Sequence, residues 1–291
     1  MTIDEAEATR VFEEHRGRLY GVAYRVLGRV GDAEDVVQDA WLRWAGADRS
    51  TIDDPAAYLV RVVTRLAIDR LRSAQARREA YVGSWLPEPM LTSPDVAEDV
   101  TMADTVSTAM LLVLESLSPL ERAVFVLREA FAYSYAEIAD IVGRSEESVR
   151  QTARRAREHV EQRRLRYDTD RATRIAVTQQ FLAAASGGDL AGLMRVLAPD
   201  VVMVSDGGGL APAPRKPIYG PDLVARALVT FAGRMPEQPS FEITDVNGGP
   251  AIVMYSADQP AAAATLYVVD GVIHAIHLIN NPDKLTGLRR R

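Results

Sequence analysis

The run Ser118–Val160, SPLERAVFVLREAFAYSYAEIADIVGRSEESVRQTARRAREHV, predicts three short helices in the middle of the chain. Ser118, Pro119 and Glu121 form a capping box with proline at the first helical position, so a helix should begin there. A second helix should end at Gly143, because glycine adopts the left-handed cap conformation without strain. Two helices separated by a tight glycine turn are typical of a helix-turn-helix.

The third helix of this run has one apolar face and one basic, amide-bearing face. Ser145 is its expected cap, and the apolar residues recur at core-facing spacing. Arginine pairs with guanine, glutamine with adenine, and a glutamate near the helix start can accept from cytosine. A solvated surface helix is the alternative. The residues expected to face DNA are Ser145, Glu147, Ser148, Arg150, Gln151, Arg154 and Arg155.

Composition limits the kind of protein this can be. The 291 residues are 47% hydrophobic, include no cysteine and carry a formal charge of -6. Disulfides and thiolate metal sites are therefore excluded, and the four histidines are too scattered to predict a zinc site. The acidic N-terminus and the lack of a long apolar run favour a cytoplasmic protein without a membrane segment. Net negative charge indicates DNA binding that depends on a partner.

The first eighty residues are predicted to be helical. One helix should run from Val11 to Gly28, and a second should begin at Asp32 as its cap. A long helix should extend from Pro55 to about Arg78 with its arginines facing outward. On the second helix the outward residues are Asp35, Gln38, Asp39 and Leu42, which periodicity alone would assign to ordinary solvated surface.

A proline-rich stretch from Glu79 to Met102 separates these helices from the helix-turn-helix. Its core is Trp85, Leu86, Pro87, Glu88 and Pro89, and prolines exclude regular structure. Two alternatives remain open for this stretch: the tryptophan binds it to a neighbouring domain, or it is a disordered linker. A helix containing Val106 and Leu117 should follow.

After Arg166 the pattern changes to two helices, 173–185 and 190–197, followed by strands. Five strands are expected at 201–204, 241–246, 251–255, 265–269 and 272–279, with one helix at 221–231. Gly248-Gly249 and Asp270-Gly271 are expected hairpin turns. Helices followed by an antiparallel sheet indicate a separate α+β domain.

Taken in order, three stretches resemble the extracytoplasmic-function sigma factors of bacterial RNA polymerase. They are DAEDVVQDAWLRW at 32–44, RLAIDRLR at 65–72 and the helix-turn-helix. Three further motifs resemble the sigma-J type subgroup, which carries a C-terminal SnoaL-like domain of the NTF2 fold. These are Trp85–Pro89, the run Asp206, Gly207, Gly208 and Gly209, and the run Asn281, Pro282, Asp283, Lys284 and Leu285.

The resemblance implies an architecture of two all-α domains, sigma-2-like and sigma-4-like, followed by an α+β cone domain. The implied boundaries are 1–79, a linker at 80–103, 104–167 and 168–291. It implies core RNA polymerase, through its β′ coiled coil and β flap, and promoter DNA as partners. Asp35, Gln38, Asp39 and Leu42 would bind the β′ coiled coil. Arg61, Arg65 and Arg72 would face phosphates of the downstream element, and residues 48–51 would frame a flipped base.

The resemblance further implies that the three subgroup motifs form a regulatory interface, with the C-terminal tail clamping its domain onto the DNA-reading parts. The family often has a lysine after the glycine run, where this chain has Leu210. An unknown small molecule could bind the cone.

Two other functions compete with a sigma factor. One is a ligand-sensing helix-turn-helix regulator that acts without polymerase. The other is an isomerase-like enzyme, although no acid–base couple is evident from spacing. We therefore expect no catalytic residue, metal or cofactor. The residues that could line a polar pocket are Asp206, Tyr219, Tyr255, His274 and His277.

Overall fold

The computed structural model describes residues 5–78, 81–92, 108–163, 170–235 and 239–289, the side chains of 74–78, 109 and 162–163 excepted. The chain forms two compact units. One consists of Met1–Glu79 with Met110–Arg164, and the other of Ala80–Ala109 with Leu165–Arg291. No helix of the described residues is long and apolar enough to cross a membrane.

The first unit is helical. Helices α1 (Glu5–Leu27), α2 (Val30–Ala45) and α3 (Pro55–Arg78) come first, with a 3-10 turn at Arg49–Thr51 before α3. Helix α4 (Thr108–Leu114) contains the boundary between the two units. Helices α5 (Pro119–Phe125, continued by a π-helical turn, Val126–Ala130), α6 (Tyr135–Val142) and α7 (Glu146–Arg163) complete the unit.

Local capping chemistry explains where the helices of the helix-turn-helix region begin and where α6 ends. The predicted capping box at Ser118 is confirmed, and a second one at Ser134, which we did not predict, begins α6. Gly143 has φ 68° and ends α6, as predicted. The prediction of Asp32 as the cap of α2 is wrong, because α2 begins at Val30 and Asp32 lies in its first turn.

The second unit is a mixed sheet packed against helices. It contains α8 (Arg171–Ser186), α9 (Leu190–Val196), β1 (Leu197–Asp206), β2 (Ile218–Tyr219), α10 (Pro221–Ala232), β3 (Ser240–Val246), β4 (Gly249–Ser256), β5 (Gln259–Val269) and β6 (Val272–Ile279). Two 3-10 turns, Pro282–Lys284 and Thr286–Leu288, follow. The strand order is β2-β1-β6-β5-β4-β3. This is the predicted α+β cone domain.

Three details of the sheet differ from the sequence prediction. Five strands were expected, and the short β2, which pairs with β1, is a sixth. Strands β1 and β6 are parallel, so the sheet is not wholly antiparallel. The β3–β4 turn is Asn247-Gly248 rather than Gly248-Gly249, since Gly249 already pairs with Val246. Asn247 has φ 51° and Gly248 φ 70°, the left-handed pair that a tight hairpin requires. The Asp270-Gly271 turn is confirmed, with φ 50° and 77°.

Candidate interaction surfaces and a buried clamp

The outward face of α2 is exposed to solvent. Leu42 keeps 61% of its surface accessible, whereas the opposite face is buried around Trp44. Asp35 is held by Arg70, whose Nη2 lies 2.5 Å from its Oδ2 and 2.8 Å from Asp32 Oδ1. The surface thus combines carboxylates with an accessible leucine. We call it the α2 strip, and it consists of Asp35, Gln38, Asp39 and Leu42.

The arginines of α3 do not share one environment. Arg72 is exposed, 3.3 Å from Asp69, while Arg61 is half-buried. Arg65 donates from Nε to the Ile141 carbonyl at 2.9 Å and from Nη2 to the Asp140 carbonyl at 3.3 Å. These carbonyls belong to the last turn of α6, where a cation is favourable. Arg65 therefore links α3 to the helix-turn-helix, a contact that sequence reasoning did not anticipate.

The outer face of α7 carries the predicted DNA-reading residues. Ser145 Oγ accepts the backbone N–H of Ser148 at 3.3 Å, which confirms the predicted cap. Arg150 pairs with Glu146, and Arg154 Nε lies 3.4 Å from Glu158. Exposed pairs of this kind contribute little free energy, so a phosphate or a base can replace them. Glu147, Gln151, Arg154 and Arg155 are exposed, and Ser148 is half-buried.

Two buried arginines connect α1 with α5. Arg122 is 1% exposed, donates from Nε to the Arg25 carbonyl at 2.9 Å, and forms an ion pair with Glu115. Burial lowers the pKa of Arg122 to about 9 and that of Arg25 to about 10. Both remain charged at neutral pH. Sequence reasoning missed this role because an isolated arginine between apolar residues gives no signal of its buried partners.

In the second unit, Asp206 joins the three subgroup motifs. Its side chain is fully buried and accepts from the Tyr81 hydroxyl at 2.6 Å, the Leu86 N–H at 2.8 Å and the Gly208 N–H at 3.1 Å. Lys284 Nζ lies 2.7 Å from its Oδ2. We call this group the Asp206 clamp, and it consists of Tyr81, Leu86, Asp206, Gly208 and Lys284.

Lys284 is also embedded in the linker. It is 2% exposed, donates to the Leu86 carbonyl at 2.5 Å and lies 4.2 Å from the centre of the Trp85 ring. Such a desolvated cation–π contact adds to the ion pair. A Cβ at Gly208, whose φ is 59°, would collide with the side chain of Asn281, so the close approach requires glycine.

Downstream of the clamp, the linker continues along the free edge of β3. Leu91 bridges Val246, and the Thr92 N–H donates to the Asp245 carbonyl at 2.9 Å. Asn247 receives the Met90 N–H at 3.1 Å. Residues 81–92 are therefore bound to the C-terminal domain. This agrees with the first of the two alternatives for the proline-rich stretch, a segment bound to a neighbouring domain. Residues 93–107, including Val106 and the rest of the predicted linker, lie outside the described residues.

The five residues expected to line a polar pocket do not converge. Asp206 is in the clamp, Tyr219 is 64% exposed, and Tyr255 donates its hydroxyl to the Leu288 carbonyl at 3.2 Å. His274 lies 2.8 Å from Asp200, and burial lowers the pKa of His277 to about 4. The cone instead has an apolar cavity of about 50 Å³, whose walls include Phe181, Leu228, Phe231, Phe241 and Met254.

Known proteins share this organisation. Residues 11–77 match Sigma-70 region 2, and residues 107–160 match Sigma-70, region 4. The ECF RNA polymerase sigma factor SigJ of Mycobacterium tuberculosis is 40% identical over 293 residues, which cover 95% of this chain and 92% of the relative. The chain belongs to the ECF sigma factors. The probable ECF RNA polymerase sigma factor SigI of the same organism is 34% identical over 282 residues, covering 94% of this chain and 93% of the relative.

The crystal structure of M. tuberculosis SigJ extends the likeness to three dimensions. It superposes with a TM-score of 0.77 and 36% identity, covering 96% of this ECF sigma factor and 98% of SigJ. The resemblance drawn from the sequence motifs is thereby confirmed, including the C-terminal SnoaL-like domain. This chain and SigJ therefore carry the two helical sigma regions and the C-terminal cone domain in the same order.

Proposed function

We propose that this ECF sigma factor binds core RNA polymerase through the α2 strip and directs it to promoters through α3 and α7. Its action would thus take place in the cytoplasm, on the β′ coiled coil and β flap of the polymerase. The observation that carries the proposal is the exposed strip of carboxylates around an accessible Leu42, in a chain that contains both sigma-70 regions. Burial of that leucine against a basic partner would be favourable.

Partner dependence follows from charge. With a formal charge of -6, the protein has little bulk attraction for DNA. Helices α3 and α7 each bind DNA weakly. When one polymerase holds both, the second DNA contact becomes intramolecular, which adds roughly two to four orders of magnitude in avidity. Arg61, Arg72 and the face of α7 are the proposed DNA contacts, and Arg65 joins them once its bonds to α6 are exchanged for phosphate.

In this proposal the C-terminal domain is an internal regulator rather than a catalyst. Its polar candidates are dispersed, and its buried charged group, the Asp206 clamp, holds the linker instead of a substrate. The linker belongs to the same polypeptide as both sigma regions, so its docking constrains the chain that connects them.

Promoter binding with and without core polymerase tests the proposal against its main alternative. We expect fluorescence anisotropy to show weak binding of a promoter duplex by the protein alone and at least hundredfold tighter binding with core present. A helix-turn-helix regulator that works without polymerase would bind its duplex tightly alone and gain nothing from core. Gln151→Ala should lower discrimination by about 1–3 kcal/mol, while the exposed Glu161→Gln should not.

A further inference from the structure

The C-terminal unit has a second, polar cavity of about 40 Å³ on the other face of its sheet. Thr265 and His277 line it and are paired across β5 and β6. Their strand neighbours Ala264 and Leu278 line the apolar cavity. Because side chains alternate along a strand, Thr265 and His277 point away from the cone.

This cavity contains polar groups without partners. The Nε of Arg174 and the Oγ1 of Thr265 are shielded from solvent and have no hydrogen-bond partner among the described residues. Arg171, one turn earlier on α8, has Asp245 at 2.5 Å, whereas no ion pair within the described part of the chain involves Arg174. An unsatisfied buried donor costs about 1–3 kcal/mol, so the cavity lacks an acceptor.

His277 completes the polar wall. It is 7% exposed and neutral at physiological pH, so it can donate one hydrogen bond without adding charge. The remaining wall includes Val246 and the ring-bearing Tyr267, which alternation places on the same face of the sheet as Thr265. The cavity therefore offers the guanidinium of Arg174, the unpaired hydroxyl of Thr265 and the neutral imidazole of His277, and its wall also includes Thr108 and Asn247.

We propose that this cavity binds a small monocarboxylate with a compact apolar body. The guanidinium of Arg174 matches a carboxylate in a paired hydrogen-bond geometry, and Thr265 donates a further bond. A single fixed cation suits a monoanion, and the apolar wall contacts the body of the ligand. Asn247, which also lines the cavity, binds Met90 and the Thr108 hydroxyl, so an occupant would lie beside the point where the linker docks.

Benzoate is a suitable probe, with benzamide as its neutral counterpart and acetate as the head group alone. We expect calorimetric titration of the full chain to show benzoate binding at least tenfold more tightly than either. Arg174→Gln should weaken benzoate binding roughly ten- to hundredfold, as the loss of a charged hydrogen bond predicts. Thr265→Val should weaken it severalfold. The exposed Arg226→Gln, on α10, is the matched control and should leave binding unchanged.

Circular dichroism and thermal melting of each variant establish that the variants are folded. If Arg174→Gln unfolds the domain, Arg174→Lys replaces it, and we expect it to retain charge-dependent but weaker binding. The proposal is overturned if benzoate does not bind, if benzamide binds equally well, or if folded Arg174 variants bind like the wild type. The measurement needs no polymerase, so its outcome is independent of the proposed transcription function.

Discussion

At the scale of single residues, Asp206 shows what the sequence could and could not reveal. The motifs around Asp206, Trp85 and Lys284 were recognisable in the amino-acid sequence. The hydrogen bonds of Asp206 were not, because its partners Tyr81 and Lys284 lie 125 and 78 positions from it along the chain. Periodicity reports local structure, so Asp206 was grouped with possible pocket residues as well as with the motif interface. Its carboxylate is in fact occupied by two linker residues and by Gly208 and Lys284 of its own domain.

Breaking the Asp206–Lys284 pair should loosen the linker. Lys284→Met leaves a buried carboxylate with fewer donors, which should destabilise the C-terminal unit by about 3–5 kcal/mol. Urea unfolding and hydrogen exchange of residues 81–92 measure the effect. Asp283→Asn, at an exposed position in the same turn, is the control. Equal stability of Lys284→Met and wild type would contradict the assigned role of the clamp.

His277 should make the stability of the C-terminal domain depend on pH. Burial lowers its pKa from 6.5 to about 4, so the unfolded state binds the proton more tightly. The stabilisation is complete above pH 6.5 and is lost as pH falls toward 4, by up to about 3 kcal/mol. Urea unfolding at pH 7.5 and 5.0 should show a smaller pH difference for His277→Gln. An unchanged pH difference in folded His277→Gln would refute the assignment.

At the scale of elements, local chemistry predicted most helices and strands. The caps at Ser118, Ser145 and Gly143 depend on neighbours within four residues, and all three were confirmed. Asp32 failed as a cap because it instead pairs with Arg70, a residue of another helix. The parallel pairing of β1 with β6 was missed for the same reason, because the direction in which two strands pair is decided by segments far apart in the sequence. Arg65 bonded to α6 is a third example.

The α2 strip gives the element-scale prediction. Leu42→Arg should abolish co-elution with core polymerase, because it places a cation where a basic partner is expected to bind. The residue is exposed, so the free energy of unfolding should change by no more than about 0.5 kcal/mol. Gel filtration with core measures binding, and the exposed Glu13→Ala on α1 is the control. Retained binding by Leu42→Arg would exclude the strip as the polymerase contact.

At the scale of the whole molecule, the chain is divided between two units whose members are not contiguous in sequence. Both sigma regions contribute to the first unit, and residues 81–92 pack with the C-terminal domain in the second. Composition predicted a linker there, and the resemblance grouped its motif with two motifs of the C-terminal domain. The hydrogen bonds from residues 81–92 to that domain give the contacts themselves. Regulation by the C-terminal domain would therefore act through the linker.

Removing everything after residue 166 tests that regulation. The truncation leaves the buried Leu86 and Thr92 without the domain to which they are hydrogen-bonded, so the connection between the sigma regions is no longer constrained. We expect both transcript yield and promoter occupancy to change relative to the full chain. Lys284→Met in the full chain should shift both in the same direction, whereas Asp283→Asn should not. Identical behaviour of truncated and intact protein would remove the regulatory role.

Transcription reconstituted from core polymerase and the purified full chain tests the central claim most directly. On a pool of templates with randomised upstream and downstream elements, we predict transcripts only when both proteins are present. Their templates should share two elements at a fixed spacing, and Leu42→Arg should give none. A protein that forms no complex with core and yields no selected transcripts would contradict the account.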